Sequence, residues 1–195
     1  MSAVKLAALP FALFLYAAAV PAEELRAGTF SPARQAPGFV LRGSDGADID
    51  LARYRGKVVA LGFGYTHCPD VCPTTLQNLA RARKALGDAG RDFQVLYVTV
   101  DPARDDVKRM REYVAAFDPT FIGATGSPPR LAQVRKDYGI EAKRADIPNG
   151  SGYYVHHSSF VYLIDRAGAL RAMMPYGTST DDIVHDVRLL LGARP

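Results

Sequence analysis

The sequence predicts a single domain of the α/β class, with a central mixed β-sheet flanked by helices. Its 195 residues are 48% hydrophobic and 23% charged, which is the composition of an ordinary globular domain. Two short, nearly continuous apolar runs, residues 57–63 and 93–100, are typical of strands that are buried on both faces. Each run is followed by apolar residues at helical spacing, and this alternation of strands and helices favours parallel pairing.

The first elements are an N-terminal hairpin and a strand–helix–strand–helix unit. Residues 39–42 and 47–51 flank a turn at 43–46 and predict the hairpin. After the first buried strand, helical periodicity begins at Pro73 and ends at Gly87. After the second buried strand, a helix is indicated by the apolar stripe Val107, Met110, Val114 and Phe117.

The second half of the chain completes the domain. A further helix is expected around residues 129–138, and a loop over 145–154 should be the least ordered stretch because it is rich in Gly, Pro, Asn and Ser. Residues 159–164 and 169–176 flank a turn and predict a second hairpin. A closing helix is expected over 183–191. This order is that of a thioredoxin-like fold with an N-terminal β-hairpin.

The N-terminal residues are set apart from this fold. Residues 6–20 form an apolar run. It leads into small residues at 20–22 and then two glutamates at 23 and 24, as in a secretory signal peptide. The run is shorter than the roughly 20 residues that a membrane-spanning helix needs. We predict a signal peptide over 1–22, with an uncleaved membrane anchor as the alternative, a linker over 23–36 and the folded domain over 37–195. The expected address is the periplasm, free or anchored to the inner membrane.

Charge and cysteine content exclude some classes of function. The net charge is +4 and the basic residues have acidic neighbours, so a dedicated nucleic-acid surface is not expected. A chain of this length can bury about 70% of its unfolded surface, so its core needs no disulfide. The two cysteines are therefore free for chemistry.

Cys68 and Cys72 lie at the junction between the first buried strand and the helix that follows it. This is the carboxyl end of a strand in an α/β sheet, where ligands and catalytic groups collect. If the segment is near-helical, the two Cα atoms are roughly 6 Å apart, which allows a disulfide or a shared metal ion. The helix N-terminus and the neighbouring His67 would favour the thiolate form that both chemistries require.

Three interpretations of the cysteine pair are open. A structural disulfide would close a loop of three intervening residues and stabilise the fold little. Dithiol oxidoreductases mostly have two intervening residues, and they place a Pro opposite the pair, where this chain has His156 and His157. The third interpretation is a metal site.

Three sequence motifs carry a resemblance to a known family. They are GYTHCPDVCP at residues 64–73, VTVDPARD at 98–105 and HSSFVYLID at 157–165. In this order they resemble the Sco/SenC family of copper chaperones, over most of the chain from about residue 37 onward. The resemblance implies a thioredoxin-like fold that binds one copper ion through Cys68, Cys72 and His157. It also implies delivery of copper to the dinuclear copper centre of cytochrome c oxidase.

This set of ligands suits copper on chemical grounds as well. Two thiolates and one imidazole form a soft site for Cu(I), and a further oxygen or nitrogen donor would also hold Cu(II). A structural zinc site normally has four protein ligands. A disulfide would remove both sulfur ligands, so loading requires prior reduction. The expected partners are a copper donor, a thiol reductant, and a copper-accepting oxidase subunit or another copper protein.

An alternative function uses the same cysteines as a redox pair. Cys68 and Cys72 are then the catalytic residues of a periplasmic thiol–disulfide oxidoreductase that reduces the cysteines of a copper-site apoprotein. The three-residue spacing and the presence of His157 favour the copper chaperone.

Other residues near the motifs have their own interpretations. The family often has Asp where this chain has His156. We choose His157 as the ligand because it aligns with the family motif. Neighbouring side chains on a strand face opposite ways, so only one of the two histidines can face the cysteines. Asp70 either lends a carboxylate to copper or is an acid favoured by the helix N-terminus. Asp101 is expected to cap a helix and Arg104 to lie on a solvated helix face.

Overall fold

The computed structural model describes residues 24–148, 150 and 152–192. In these residues the strands are β1 (Gly28–Gln35), β2 (Val40–Gly43), β3 (Asp48–Asp50), β4 (Val58–Gly64), β5 (Phe93–Thr99), β6 (Ile122–Thr125), β7 (Ala142–Asp146), β8 (Tyr153–His157), β9 (Val161–Ile164) and β10 (Ala169–Met174). The α-helices are α1 (Val71–Ala85), α2 (Val107–Ala115), α3 (Pro128–Asp137) and α4 (Thr180–Gly192).

A mixed sheet forms the centre of the fold. Within the described residues it has eight strands, in the order β1-β10-β9-β4-β5-β6-β2-β3. Strands β4, β5 and β6 run parallel, and the other neighbouring pairs are antiparallel. All residues of β4 are buried, and so are those of β5 apart from Gln94. The two buried strands predicted from the apolar runs are therefore confirmed, as is the mixed α/β class.

Helix α1 begins directly after the cysteine motif. Asp70 is its N-cap but makes no side-chain capping bond, and Pro73 lies in the first turn, where a missing N–H costs nothing. The core-facing side of the helix carries Cys72, Leu76, Leu79, Ala80 and Ala82. The helical spacing thus turns Cys72 into the core and leaves Cys68 in the loop before the helix.

Both predicted hairpins are present, as β2–β3 and β9–β10. The prediction of a linker over residues 23–36 is wrong for Gly28–Gln35. These residues form β1, which pairs antiparallel with β10 at the edge of the sheet. Seven of the eight residues of β1 are exposed, so no apolar alternation marks the strand. Its place is determined by the unpaired backbone groups that β10 would otherwise present.

The stretch expected to be least ordered contains part of a hairpin. Strands β7 and β8 pair antiparallel in a two-stranded sheet of their own, with Ala142 opposite His157 and Asp146 opposite Tyr153. Most of their side chains are exposed or half-buried, so the apolar pattern of a strand is weak there. The last residue of this hairpin is His157, one of the three predicted ligands.

The predicted signal peptide, residues 1–22, lies outside the described residues. Among the residues that the structure does describe, no helix combines the length and the apolar character needed to cross a bilayer. The described part of the chain therefore does not test the signal peptide.

Candidate metal centre

The two cysteines meet at the start of α1. Cys68 lies in the loop after β4 and is half-buried, whereas Cys72 is only 1% exposed. The backbone N–H of Cys72 donates a hydrogen bond to Sγ of Cys68 at 3.4 Å. Both residues are free thiols, so both sulfurs are available for metal binding or for disulfide formation.

His157 faces the buried sulfur from the end of β8. Its Nε2 atom lies 3.5 Å from Sγ of Cys72. Its Nδ1 atom lies 2.9 Å from the backbone oxygen of Ser158, which can only accept a hydrogen bond, so the neutral ring carries its proton on Nδ1. The lone pair of Nε2 therefore points at Cys72. The ring of Tyr65 packs edge-on against the imidazole, with 5.9 Å between centroids.

Cys72 is the central member of the three predicted ligands, since it contacts both Cys68 and His157. In the described residues, no group of three or more His, Cys, Asp or Glu side chains is arranged so that it could hold a metal ion as it stands. The structure thus brings the predicted ligands together in two pairs, Cys68 with Cys72 and Cys72 with His157, but not as a group of three around one point. Binding of one metal ion by all three requires a shift of at least one of these side chains.

Hydrogen bonding between the two sulfurs separates their pKa values. The hydrogen bond from the Cys72 thiol lowers the pKa of Cys68 to about 5, although burial raises it, and the N–H groups of Asp70 and Cys72 lower it further. The same bond raises the pKa of Cys72, and burial raises it again. At neutral pH, Cys68 is therefore the thiolate and Cys72 the thiol.

Alkylation of Cys68 should follow this lowered pKa. Because only the thiolate reacts, we expect the rate of iodoacetamide labelling of the reduced protein to rise through a midpoint of about 5. An ordinary cysteine has its midpoint at about 8.5. Since the folded pKa of Cys68 lies below the unfolded one, its contribution to stability is lost as the pH falls from the unfolded pKa towards 5. The raised pKa of Cys72 has the opposite effect, because it lowers stability as the pH rises above the unfolded pKa.

Mass spectrometry of samples labelled over a pH series measures this midpoint. In a Cys72→Ala variant the main cause of the shift is removed, so the midpoint should rise towards the ordinary value. A midpoint near the ordinary value in the unmodified protein would contradict the assignment of Cys68 as the thiolate.

A buried carboxylate holds the loop that leads to Cys68. Asp105 is 0% exposed. It accepts hydrogen bonds from the N–H of Thr66 at 3.1 Å, from the hydroxyl of Thr66 at 2.7 Å and from the hydroxyl of Thr99 at 2.6 Å. Nε of Arg109 donates to the Thr66 hydroxyl at 3.0 Å. The position of Cys68, two residues further on, therefore depends on this carboxylate.

Asp101 and Arg104 tie the loop after β5 to the β7–β8 hairpin. Asp101 is 4% exposed and accepts hydrogen bonds from Nε of Arg104 and from the hydroxyl of Tyr153, the latter at 2.8 Å. Arg104 stacks 3.7 Å from the centroid of the Tyr153 ring and donates to its backbone oxygen at 3.1 Å. The N-cap of α2 is Asp106. The interpretations of Asp101 as a cap and of Arg104 as a solvated side chain were therefore wrong.

The other residues that the sequence placed near the cysteine pair lie at the surface. His156 is exposed and points away from Cys72, as the alternation of a strand requires. His67 is exposed, with its Nδ1 atom 3.1 Å from the Thr66 hydroxyl. Asp70 is also exposed and accepts a hydrogen bond from a hydroxyl in the first turn of α1. His157 is the predicted histidine that faces the sulfur of Cys72.

The chain is similar to proteins of one described family. The SCO1/SenC family model matches residues 28–192. The protein SCO2 homolog, mitochondrial, of Mus musculus is 34% identical over 145 residues, which are 73% of this chain and 56% of that protein. The chain spans about half the length of the curated relatives it matches.

Solved structures share the fold. ScoI of Bradyrhizobium japonicum with copper bound has a TM-score of 0.73 and 29% identity, over 80% of this chain and 99% of that one. Apo Sco1 of Thermus thermophilus has a TM-score of 0.77 and 31% identity, over 88% of this chain and 99% of that one. These similarities confirm the thioredoxin-like fold expected from the order of elements.

Proposed function

Because this chain belongs to the SCO1/SenC family, we propose that it is a metallochaperone that binds one copper ion through Cys68, Cys72 and His157. Its recipient in this proposal is the dinuclear copper centre of cytochrome c oxidase, as the family resemblance implies. The observation that carries the proposal is the 3.5 Å contact between Sγ of Cys72 and Nε2 of His157. The thiol of Cys72 and the lone pair of the imidazole meet there, beside the thiolate of Cys68.

The ligand atoms suit a cargo that must be released again. Two sulfurs and one imidazole nitrogen favour Cu(I), and an added oxygen or nitrogen donor would let the site hold Cu(II). Cys68 already carries the charge of a thiolate, whereas the Cys72 thiol must lose its proton to solvent when it binds the metal. Loading is therefore expected to release about one proton per copper ion near neutral pH.

Copper titration of the reduced protein tests the site. We expect one equivalent of Cu(I), and a charge-transfer band between thiolate and metal when Cu(II) is added. Cys68→Ala and Cys72→Ala should each lose tight binding, and the same protein with its two cysteines joined as a disulfide is the matched control that should bind none. A reduced protein that takes up no copper would exclude the proposed function.

Delivery is tested separately from binding. Copper-loaded protein is mixed with the copper-free soluble domain of the oxidase subunit whose cysteines have been reduced. We expect copper to appear on the recipient and the donor spectrum to disappear. Retention of all copper by the donor would leave a copper-binding protein and contradict the role of a chaperone.

A second candidate function, a thiol–disulfide oxidoreductase, is favoured by one observation. Cys68 is half-buried rather than enclosed and its pKa is lowered to about 5 by the hydrogen bond from Cys72, so an attacking thiolate lies beside a resolving thiol. In this reaction the two cysteines become a disulfide while the disulfide of a partner is reduced to two thiols. Turnover with an oxidised peptide that carries a copper-site cysteine pair tests it, and an absence of turnover would exclude it.

The proposal also includes a cellular location. Residues 1–22 would direct the domain to the periplasm, where it is either free after cleavage or held at the inner membrane. If cleavage occurs, protein from the periplasmic fraction should begin at Glu23 on N-terminal sequencing. If residues 1–22 are an anchor, the protein should be found in the membrane fraction and begin at the initial Met.

A further inference from the structure

Two glycines on β4 leave room for the side chain of a buried tyrosine. Gly62 and Gly64 are two residues apart, so they lie on the same face of the strand. A Cβ atom on Gly62 would lie 2.9 Å from Cδ2 and 3.0 Å from Cε2 of Tyr97. A Cβ atom on Gly64 would overlap the hydroxyl of Tyr97 and lie 2.8 Å from Sγ of Cys72. The Tyr97 ring therefore lies over β4, with its hydroxyl beside the sulfur.

The position of Tyr97 follows from the sheet. In the parallel register of β4 and β5, Tyr97 is opposite Gly62, and the ring passes over the next glycine along the strand to reach α1. Tyr97 is 2% exposed. A hydroxyl buried to this extent costs free energy unless it forms a hydrogen bond. Sγ of Cys72 is its neighbour, because a Cβ atom on Gly64 would lie within 2.8 Å of both atoms.

A second buried tyrosine provides a contrast. The hydroxyl of Tyr113, on α2, is buried and has no hydrogen-bond partner within the described part of the chain. Packing in this core therefore tolerates a tyrosine whose hydroxyl makes no bond. The approach of the Tyr97 hydroxyl to Cys72 is a separate feature, because it needs both glycines of β4.

We propose that Tyr97 is a positioning residue for copper, whose hydroxyl donates a hydrogen bond to Sγ of Cys72 and keeps that bond when the sulfur binds the metal. The inference rests on the proposed function, since it concerns the same site. A phenol that keeps its proton can only donate to a thiolate. Such a bond withdraws electron density from the sulfur, which stabilises the more electron-rich Cu(I) form over Cu(II).

The Tyr97→Phe variant tests this role because it removes one oxygen atom and keeps the ring. We expect its affinity for Cu(I), measured by competition with a chromophoric chelator, to fall about 10- to 100-fold, as for other groups that hydrogen-bond to metal ligands. The charge-transfer band of the Cu(II) form should move to longer wavelength, because the sulfur orbitals rise in energy. The matched control is Tyr113→Phe. It removes a hydroxyl that makes no hydrogen bond but lies within electrostatic reach of both sulfurs, so it should change both quantities much less than Tyr97→Phe does.

A second substitution works in the opposite direction. Site-specific 3-fluorotyrosine in place of Tyr97 has almost the same shape and a more acidic hydroxyl, so it should tighten Cu(I) binding and move the band to shorter wavelength. Thermal unfolding of each variant shows that the fold is kept. If Tyr97→Phe folds and has the affinity and the band of the unmodified protein, the role at copper is overturned.

The hydrogen bond itself is tested without copper. Because the chain has two cysteines, a Cys68→Ala protein has a single thiol, and its S–H stretching band in the infrared reports on Cys72 alone. Adding Tyr97→Phe should shift that band, and an unchanged band overturns the hydrogen bond. This measurement does not involve a metal, so the two proposals can fail separately. If the unmodified protein bound no copper, the proposed function would be contradicted. The S–H band would still show whether the hydrogen bond between Tyr97 and Cys72 exists.

Discussion

Replacing His157 by Ala is expected to abolish stable Cu(II) binding while leaving thiol chemistry nearly intact. The imidazole Nε2 atom faces Sγ of Cys72 at 3.5 Å and is the nitrogen donor of the proposed site. Loss of a group that only hydrogen-bonds to a metal ligand costs about 10- to 100-fold in affinity, so loss of a ligand should cost more than about 100-fold. Competition titration measures the change in affinity, and the rate of exchange with an oxidised peptide measures the thiol chemistry.

The neighbouring histidine provides the control for this experiment. His156 lies on the same strand and is exposed on the opposite side, so His156→Ala should keep the copper affinity and the charge-transfer band. If His157→Ala bound copper as well as the unmodified protein, the ligand assignment would fail. If it lost peptide turnover as well as copper, the imidazole would belong to the thiol reaction and the oxidoreductase would be favoured.

Replacing Asp105 by Ala is expected to cause a large loss of stability. The carboxylate is 0% exposed and accepts three hydrogen bonds from Thr66 and Thr99. Its removal leaves buried donors without a partner, which costs about 1–3 kcal/mol for each such group. We expect the free energy of unfolding to fall by about 3 kcal/mol or more, and the melting temperature by roughly 6–12 °C for a domain of this size.

Asp106→Ala is the matched control for Asp105. The Asp106 carboxylate accepts one hydrogen bond, from the N–H of Arg109 at the start of α2, and this bond is exposed. Loss of such a cap costs about 1 kcal/mol. Chemical denaturation of the two variants should therefore separate them by about 2 kcal/mol or more. Equal effects would show that the carboxylate of Asp105 does not anchor the cysteine loop.

The elements that the sequence predicted well are those whose signal is local. The two buried parallel strands are continuous apolar runs, and α1 to α4 each have a stripe of buried residues at helical spacing. Strand β1 was missed because seven of its residues are exposed, so that only pairing with β10 determines it. Strand β7 was missed for a similar reason, because its exposed, charged residues resemble those of a loop.

The site shows the same division between local and distant signals. Cys68, Cys72 and His157 lie in motifs that can be read along the chain, and the period of a strand separated His157 from His156. The interaction of Asp101 with Tyr153, 52 residues away, has no local pattern. Tyr97 left one trace in the sequence, since Gly62 and Gly64 interrupt a buried strand, and glycine within a strand often marks the close approach of another group.

The proposed ligands lie on two parts of the fold that differ in stability. Cys72 belongs to a helix packed on the central sheet, whereas His157 ends a two-stranded sheet of its own. A hairpin of that size has little stability by itself, and it is held to the core by contacts such as those of Tyr153 with Asp101 and of Val155 with Tyr65. In the proposed chaperone, release of copper by His157 would therefore require movement of this one hairpin, without unfolding of the domain.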